Sequence, residues 1–114
     1  MVQEYSWSKI EKKEARRIFD KAMQKECDIM IERIRDFTAM ASSIQDLAGI
    51  NNYLTKFLDK IDRKYDYRYS VLINLFALLL AEGNISKSEL NVFSTDKVDQ
   101  IMSIADFIKN RNIK

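Results

Sequence analysis

The sequence predicts an all-α protein, and three observations support this fold class. The chain has 114 residues, a length that fits one domain. It contains no proline and only two glycines, although loops and sheet turns depend heavily on both residues. Apolar residues recur at spacings of three and four along most of the chain, which is the period of an amphipathic helix. We therefore expect long, uninterrupted helices.

The first predicted helix is a long one. Ser8 and Glu11 have the spacing of a capping box, in which each side chain accepts a hydrogen bond from the other residue's backbone. An apolar stripe with a period close to seven follows, formed by Phe19, Met23, Cys27, Met30, Ile34, Phe37 and Ala41. A helix from Ser8 to about Ala41 would be ~50 Å long. A break near its middle is the alternative.

The length of this helix also predicts the assembly. A compact domain of this size would have a radius of gyration of only ~13 Å, so a lone projecting helix would leave its apolar stripe in water. Packing of the stripe against a second copy of the chain is the simplest way to remove it from water. The sequence therefore predicts an elongated helical homodimer with a long helical stalk and a small helical head. The dimer stripe is predicted to consist of Phe19, Met23, Met30, Ile34 and Phe37.

A second helix is predicted from Ser42 and Gln45, which resemble another capping box. Its apolar positions are Leu47, Ile50, Leu54, Phe57, Ile61 and Tyr65. Gly49 lies among them, and a glycine inside a helix costs about 1 kcal/mol relative to alanine. Either the close approach of another helix or a helix start at this point would explain it.

The third predicted helix begins near Tyr67 and is apolar nearly all round, which is typical of a buried helix. Gly83 is expected to end it in the left-handed conformation. Start signals for a short helix and a final helix follow at Ser86 with Glu89 and at Ser94 or Thr95. We expect residues 1–114 to form a single domain, with stalk helices over about 8–65 and head helices over about 66–109.

The composition argues against catalysis. Without histidine, the chain lacks the commonest general base and the commonest metal ligand. The single cysteine, Cys27, cannot build a structural zinc site, and the isolated glycines form no phosphate-binding loop. Acidic pairs at helical spacing have lysine or arginine nearby, as on a solvated surface. We expect no enzyme activity, no cofactor and no metal.

Charge and hydropathy also restrict the location. The formal net charge is +2, which gives no general attraction to nucleic acid or anionic membrane. The longest apolar run, around Val71–Ala81, is too short to span a bilayer, and no signal-peptide pattern is present. A single cysteine fits a reducing compartment. We expect a cytoplasmic protein without membrane attachment.

A basic segment supports one alternative function, that of a small nucleic-acid-binding protein. Its cations are Lys9, Lys12, Lys13, Arg16, Arg17, Lys21 and Lys25. They could follow a phosphate backbone, but they spread around the predicted helix, and few aromatic residues lie between them to stack on bases. A solvated surface is the preferred interpretation of this segment.

The corner between the second and third helices carries alternating charges and three tyrosines, over residues 62–71. The simpler interpretation is local: Asp66 or a neighbour caps the third helix, Arg68 pairs with a carboxylate, and a tyrosine packs beneath. Tyrosine and arginine are also enriched at the most energetically important positions of protein interfaces. The two interpretations can hold together.

At this corner the sequence becomes recognisable. The most specific run is Lys64-Tyr65-Asp66, Arg68 and Ser70-Val71. Supporting matches are Trp7-Ser8, Ile44, Asp46-Leu47, Ile61-Asp62, Phe76-Ala77, Leu79-Leu80, Glu82-Gly83, Glu89-Leu90 and Asp96-Lys97. With these features the chain resembles the fluorescence recovery protein family of cyanobacteria over roughly residues 6–105.

This resemblance implies an all-helical homodimer with a stalk and a head, no cofactor and no covalent chemistry. It also implies a partner, the light-activated orange carotenoid protein, bound chiefly through that protein's C-terminal domain. Binding would speed the return of that protein to its resting orange form and end photoprotective quenching of the phycobilisome. Such an effect requires contacts that favour states on the way back to the resting form.

The chain departs from the family at the functional patch of the second helix. There the resemblance implies a tryptophan, a histidine–aspartate pair and an arginine, whereas this chain has Ala48, Asn51, Asn52 and Leu58. The corresponding head positions, a phenylalanine and a lysine in the family, are Asn74 and Gln100. Because a tryptophan anchor can contribute ~2–4 kcal/mol to an interface, we expect weak binding to the family's partner.

Three hypotheses follow. The first is a divergent family member that retains the scaffold and binds a different protein through the surface around Ala48, Asn51, Asn52 and Leu58. The second is a regulator of the orange carotenoid protein with a remodelled interface. The third is the nucleic-acid-binding protein that uses Lys9–Lys25.

Overall fold

The computed structural model describes residues 6–112, and within them the chain is all-helical. The elements are α1 (Lys9–Met40), α2 (Ile44–Lys64), α3 (Tyr69–Ala81), a 3₁₀ helix (Lys87–Val92) and α4 (Thr95–Asn112). The predicted fold class is thus confirmed for this part of the chain.

α1 is one continuous helix, so the alternative of a break near its middle is wrong. The predicted capping box is confirmed: the Glu11 backbone N–H donates to Ser8 Oγ at 3.1 Å, and the Ser8 N–H donates to Glu11 Oε1 at 2.9 Å. A second box at Ser86 and Glu89 opens the 3₁₀ helix, also as predicted. Gly83 follows α3 with φ 79°, the left-handed conformation expected of it.

Two predicted helix starts were wrong by one or two residues. Ser43, not Ser42, caps α2, because the Asp46 N–H donates to Ser43 Oγ at 3.0 Å while the Ser42 N–H donates to the Asp46 carboxylate at 2.9 Å. α3 starts at Tyr69 rather than near Tyr67. Gly49 lies inside α2, so a helix start does not explain it. Apart from its chain neighbours and the adjoining backbone of α2, no described residue lies within 4 Å of the position its Cβ would take.

The core lies in a bundle that the first half of α1 forms with α3, the 3₁₀ helix and α4. α1 contributes Ala15, Ile18, Phe19 and Ala22. The other elements contribute Leu72, Phe76, Leu79, Leu90, Ile101 and Ala105, all fully or almost fully buried. The prediction that α3 is a core helix is therefore confirmed. We call this part of the molecule the core bundle.

The second half of α1 pairs with α2 in an antiparallel hairpin, residues 26–64. Near its tip, Arg33 Nη1 donates to Tyr53 OH at 3.1 Å, and the Phe37 and Tyr53 rings meet edge to face at 5.1 Å. At the base of the hairpin, Lys64 Nζ forms an ion pair with Glu26 Oε2 at 2.9 Å. No residue of α2 is buried. The molecule measures 53 × 35 × 27 Å, with a radius of gyration of 17.1 Å, well above the ~13 Å of a compact domain.

The predicted dimer stripe does not lie on one uncovered surface of the single chain. Phe19 is only 3% exposed and Met30 is also buried, while Met23 packs against the core. Ile34 is half-buried, and Phe37 is exposed beside Tyr53. The first half of the stripe is covered by the chain itself, because the core bundle and the turn after α2 fold back onto α1.

Candidate protein-binding site

The turn after α2 crosses α1 and is anchored there by Lys64. Its Nζ lies 2.9 Å from Glu26 Oε2 on α1 and 2.6 Å from Glu82 Oε1, which follows α3. The side chain is 6% exposed. A nearly buried ammonium between two carboxylates is well compensated. Lys64 therefore joins the end of α2 to both α1 and α3, which is a structural role.

Tyr65 completes this anchor. Its OH donates a short hydrogen bond to Glu26, and its ring meets Phe19 edge to face at 5.3 Å between centroids. Burial raises the pKa of Tyr65, and the neighbouring Glu26 carboxylate raises it further. The hydroxyl thus stays protonated and available as a donor. Lys64, Tyr65 and Glu26 fix the angle at which the hairpin leaves the core bundle.

Asp66 and Arg68 form the accessible part of the same turn. Arg68 Nε lies 2.9 and 2.8 Å from the two Asp66 carboxylate oxygens. The hydrogen bond from Arg68 lowers the pKa of Asp66, and the bond to Asp66 raises the pKa of Arg68. Arg68 is exposed, so of the four residues in the motif Lys64, Tyr65, Asp66 and Arg68, the last two are the ones a partner could reach.

The predicted patch on α2 is accessible along its whole length. Ala48, Asn51, Asn52 and Leu58 are all exposed, and Leu58 is 56% exposed. The half-buried positions of α2 that face α1 are Ile50, Tyr53, Phe57 and Ile61, and half-buried Leu54 lies between them and the patch. The structure therefore places the four patch positions on one outward surface of the hairpin. It does not bring them together with Lys64 and Tyr65, which face inward. Asn74 and Gln100 are exposed on α3 and α4.

The basic segment Lys9–Lys25 is largely occupied by contacts within the chain. Arg16 pairs with Asp20 at 3.3 Å, and its guanidinium also lies 4.6 Å from the centre of the Tyr67 ring. Further partners are Glu14 for Arg17, Glu89 for Lys21 and the Tyr69 ring for Lys12. These contacts reduce the charge that would be available to phosphates, and they do not favour the nucleic-acid alternative.

Two charged groups that are half-buried or buried, Glu26 and Lys97, were missed in the sequence. Glu26 is the shared acceptor of Lys64 and Tyr65, and it lies between Met23 and Met30 of the apolar stripe. Lys97 lies 3.1 Å from Glu11 inside the core bundle. Lys97 precedes Ile101 by four residues, so helical periodicity alone could have placed it on the inner face of α4.

Removing the Tyr65 hydroxyl should loosen the base of the hairpin. We expect Tyr65→Phe to lower the free energy of unfolding by about 1–2 kcal/mol, because a hydrogen bond to a charged acceptor is lost while Lys64 still compensates Glu26. Urea unfolding followed by circular dichroism would measure this change. Tyr53→Phe is the matched control, since its hydroxyl contacts Arg33 at an exposed position; equal losses in the two variants would contradict the anchoring role.

Comparison with known proteins decides the family. The family model described as "Photoprotection regulator fluorescence recovery protein" matches residues 7–105. The chain belongs to the fluorescence recovery protein family. It is 35% identical to the fluorescence recovery protein of Synechocystis sp. strain PCC 6803 over 102 residues, which cover 90% of this chain and 94% of that protein.

Solved structures of fluorescence recovery proteins have the same fold. The protein from Fremyella diplosiphon superposes with a TM-score of 0.83 at 36% identity, covering 89% of this chain and 99% of that one. The Synechocystis structure gives a TM-score of 0.84 at 35% identity, with the same coverage. The family match runs from the residue before the Ser8 cap into α4, so it includes the hairpin, the turn and the core bundle.

The resemblance predicted from the turn motif is confirmed, and the family is one of photoprotection regulators. Among the helices of residues 6–112, none combines the length and the apolar character that crossing a bilayer requires.

Proposed function

We propose that this chain is a non-catalytic regulator that acts as a homodimer by binding another protein. The observation that carries this proposal is the surface of the hairpin. It exposes large apolar side chains on both helices, among them Ile31 at 48% and Leu47 at 57%. Contiguous exposed apolar surface of this kind is typical of protein–protein contacts.

In this proposal the two helices present these side chains on the same side of the hairpin. The groove between the helices near the tip is lined by Phe37, Met40, Gly49 and Tyr53. Since each residue turns the helix by about 100°, the opposite side is formed by Ile31 and Ile34 of α1 and by Leu47 and Leu54 of α2. We call these four residues the dimer face. In this proposal the stalk consists of the paired hairpins, residues 26–64 of each protomer, rather than of residues 8–65, with a core bundle as the head of each protomer.

The partner surface in this proposal borders the dimer face. Ala48, Asn51, Asn52 and Leu58 lie beside it on α2. None of the four side chains is charged, although the family resemblance implies a tryptophan, a histidine–aspartate pair and an arginine there. Charged groups at an interface contribute much of its specificity. Their replacement by neutral and small side chains supports a partner other than the orange carotenoid protein.

Other features of the proposal rest on the sequence. The chain has neither the histidine nor the clustered cysteines that would support catalysis or a structural metal. The single cysteine supports a reducing compartment, the cytoplasm.

The proposal is tested by dark recovery of the orange carotenoid protein. The photoactivated red form would be followed spectroscopically to the orange form, with and without an equimolar amount of this chain. We expect no acceleration by the natural chain. We expect acceleration by the variant Ala48→Trp, Asn51→His, Asn52→Asp and Leu58→Arg, because the scaffold is retained and only the patch is changed. Acceleration by the natural chain would overturn the divergence and support a remodelled regulator.

A further inference from the structure

A row of unpaired cations runs along α2 on the side away from the dimer face. Lys56, Lys60 and Arg63 are all exposed and follow one another at spacings of four and three, so they share one helix face. Within residues 6–112, none of the three is engaged in an ion pair. Lys64, the next cation, differs because two carboxylates hold it.

This cationic row lies between two apolar grooves. On one side, a groove of about 720 Å³ between α2 and α3 has Val71, Leu75 and Leu78 in its wall. On the other, a groove of about 430 Å³ between α1 and α2 is lined by Ile29, Met30 and Phe57. Lys56 and Lys60 line both grooves, so the two form one continuous concave surface, which we call the cleft.

The acidic groups at the cleft do not neutralise the row. Glu82 and Glu26 are held by Lys64, and Asp66 is held by Arg68. Asp59, which lies between the cations on α2, is the remaining carboxylate in the wall of the larger groove. The cleft therefore combines apolar walls with a surplus of unpaired positive charge.

We propose that the cleft docks an acidic amphipathic helix of a protein partner. The apolar face of such a helix would cover the leucines of α3 and the residues of α1, which is the helix-in-groove mode of recognition. Its carboxylates would meet a cationic row that extends over about 10 Å from Lys56 to Arg63, or two helical turns. Complementary charge of this kind gives orientation and a fast association rate.

A nucleic acid fits the cleft less well. A phosphate backbone would satisfy the cations but would leave the walls formed by Val71 and Leu78 without apolar contact. Tyr53 and Phe57 line the α1–α2 groove, but no aromatic ring among the described residues lines the α2–α3 groove, so base stacking is supported on only one side of the row. The inference goes beyond the proposed function and does not depend on it, because neither the dimer face nor the patch at Ala48, Asn51 and Asn52 lines the cleft.

The experiment uses the whole chain and a labelled synthetic peptide. The peptide places leucines at positions i, i+3, i+4 and i+7 of a helix and glutamates elsewhere; a second peptide replaces every glutamate by lysine. Fluorescence anisotropy at low ionic strength should show binding of the acidic peptide and not of the basic one. The affinity should fall with added salt, as expected for a contact with a large electrostatic part.

Charge reversal identifies the site. Lys56→Glu, Lys60→Glu and Arg63→Glu together should weaken binding of the acidic peptide at least about tenfold and should create binding of the basic peptide. The control variant reverses three other exposed lysines, Lys9→Glu, Lys13→Glu and Lys109→Glu, and so has the same change in net charge. Equal loss in both variants, no binding of the acidic peptide, or tighter binding of a DNA duplex through the same three cations would each overturn the proposal.

Discussion

Replacing Leu47 with aspartate is expected to dissociate the proposed homodimer while leaving the chain folded. Leu47 is exposed in the single chain, so the change opens no cavity, and a carboxylate near the start of α2 is favoured by the helix dipole. In the dimer, however, the new charge would be buried against apolar side chains. The apparent dissociation constant should rise at least about 100-fold, or about 2.7 kcal/mol. Light scattering after gel filtration, over a dilution series, would measure it.

Ile10→Asp provides the matched control for this prediction. Ile10 is 71% exposed, lies on α1 and is outside the hairpin. The Ile10→Asp variant should remain dimeric at concentrations where Leu47→Asp is monomeric. Far-ultraviolet circular dichroism should be unchanged in both variants. A dimer that survives Leu47→Asp would contradict the dimer face and would require a different assembly surface.

Replacing Lys97 with methionine is expected to destabilise the core bundle strongly. The Lys97 ammonium donates to the Ser6 carbonyl at 2.7 Å and lies 3.1 Å from Glu11 Oε1. Lys97 and Glu11 are both buried. Without Lys97, the Glu11 carboxylate would keep its backbone donors but lose its countercharge, and breaking a buried pair from one side costs about 3 kcal/mol or more. Urea unfolding of Lys97→Met would measure the loss.

The double variant Lys97→Met with Glu11→Gln should recover most of that loss. Glutamine can still accept from Ser8 in the capping box, and no uncompensated charge is left. Lys109→Met, an exposed change on the same helix, should alter the unfolding free energy by less than about 0.5 kcal/mol. If the double variant does not recover the free energy of unfolding, the loss in Lys97→Met comes from packing around Lys97 rather than from the uncompensated charge of Glu11.

The pH dependence of stability provides a second measurement on Glu11. Burial alone would raise the pKa of Glu11, but hydrogen bonds from the Ser8 and Ser94 backbone and contact with Lys97 lower it below the ordinary 4.5. A carboxyl whose pKa is lowered by folding stabilises the protein fully above its unfolded pKa and ceases to do so as the pH falls through its folded pKa. The acid side of the stability curve should therefore be less steep in Glu11→Gln.

Local signals in the sequence predicted most of the helices. The Ser8 box and Gly83 place the start of α1 and the end of α3 because each depends on residues within one turn. The start of α2 was misplaced by one residue because Ser42 and Ser43 are both suitable caps. The bond from the Asp46 N–H to Ser43 Oγ shows that Ser43 is the cap.

The candidate site was predicted less completely, since it depends on contacts far apart in the chain. Periodicity indicated that Phe19 faces an apolar environment, but it could not show that Tyr65 and Tyr67 cover it from the turn after α2. In the same way, the motif at Lys64 was recognisable, whereas its acceptor Glu26 lies in another helix. Helical periodicity identifies the apolar face of a helix, but only the three-dimensional structure shows which residues cover that face.

The lack of any buried residue in α2 has an evolutionary consequence. Substitution of a buried side chain leaves a cavity or causes strain, and both costs are small at the exposed positions of α2. Mutations at these positions can therefore accumulate without loss of the core bundle, which is fixed by α1, α3 and α4. A lineage can exchange the partner that this helix is proposed to recognise while its architecture persists. The outward surface of the hairpin is thus the part of the fold on which selection can act with the least structural constraint.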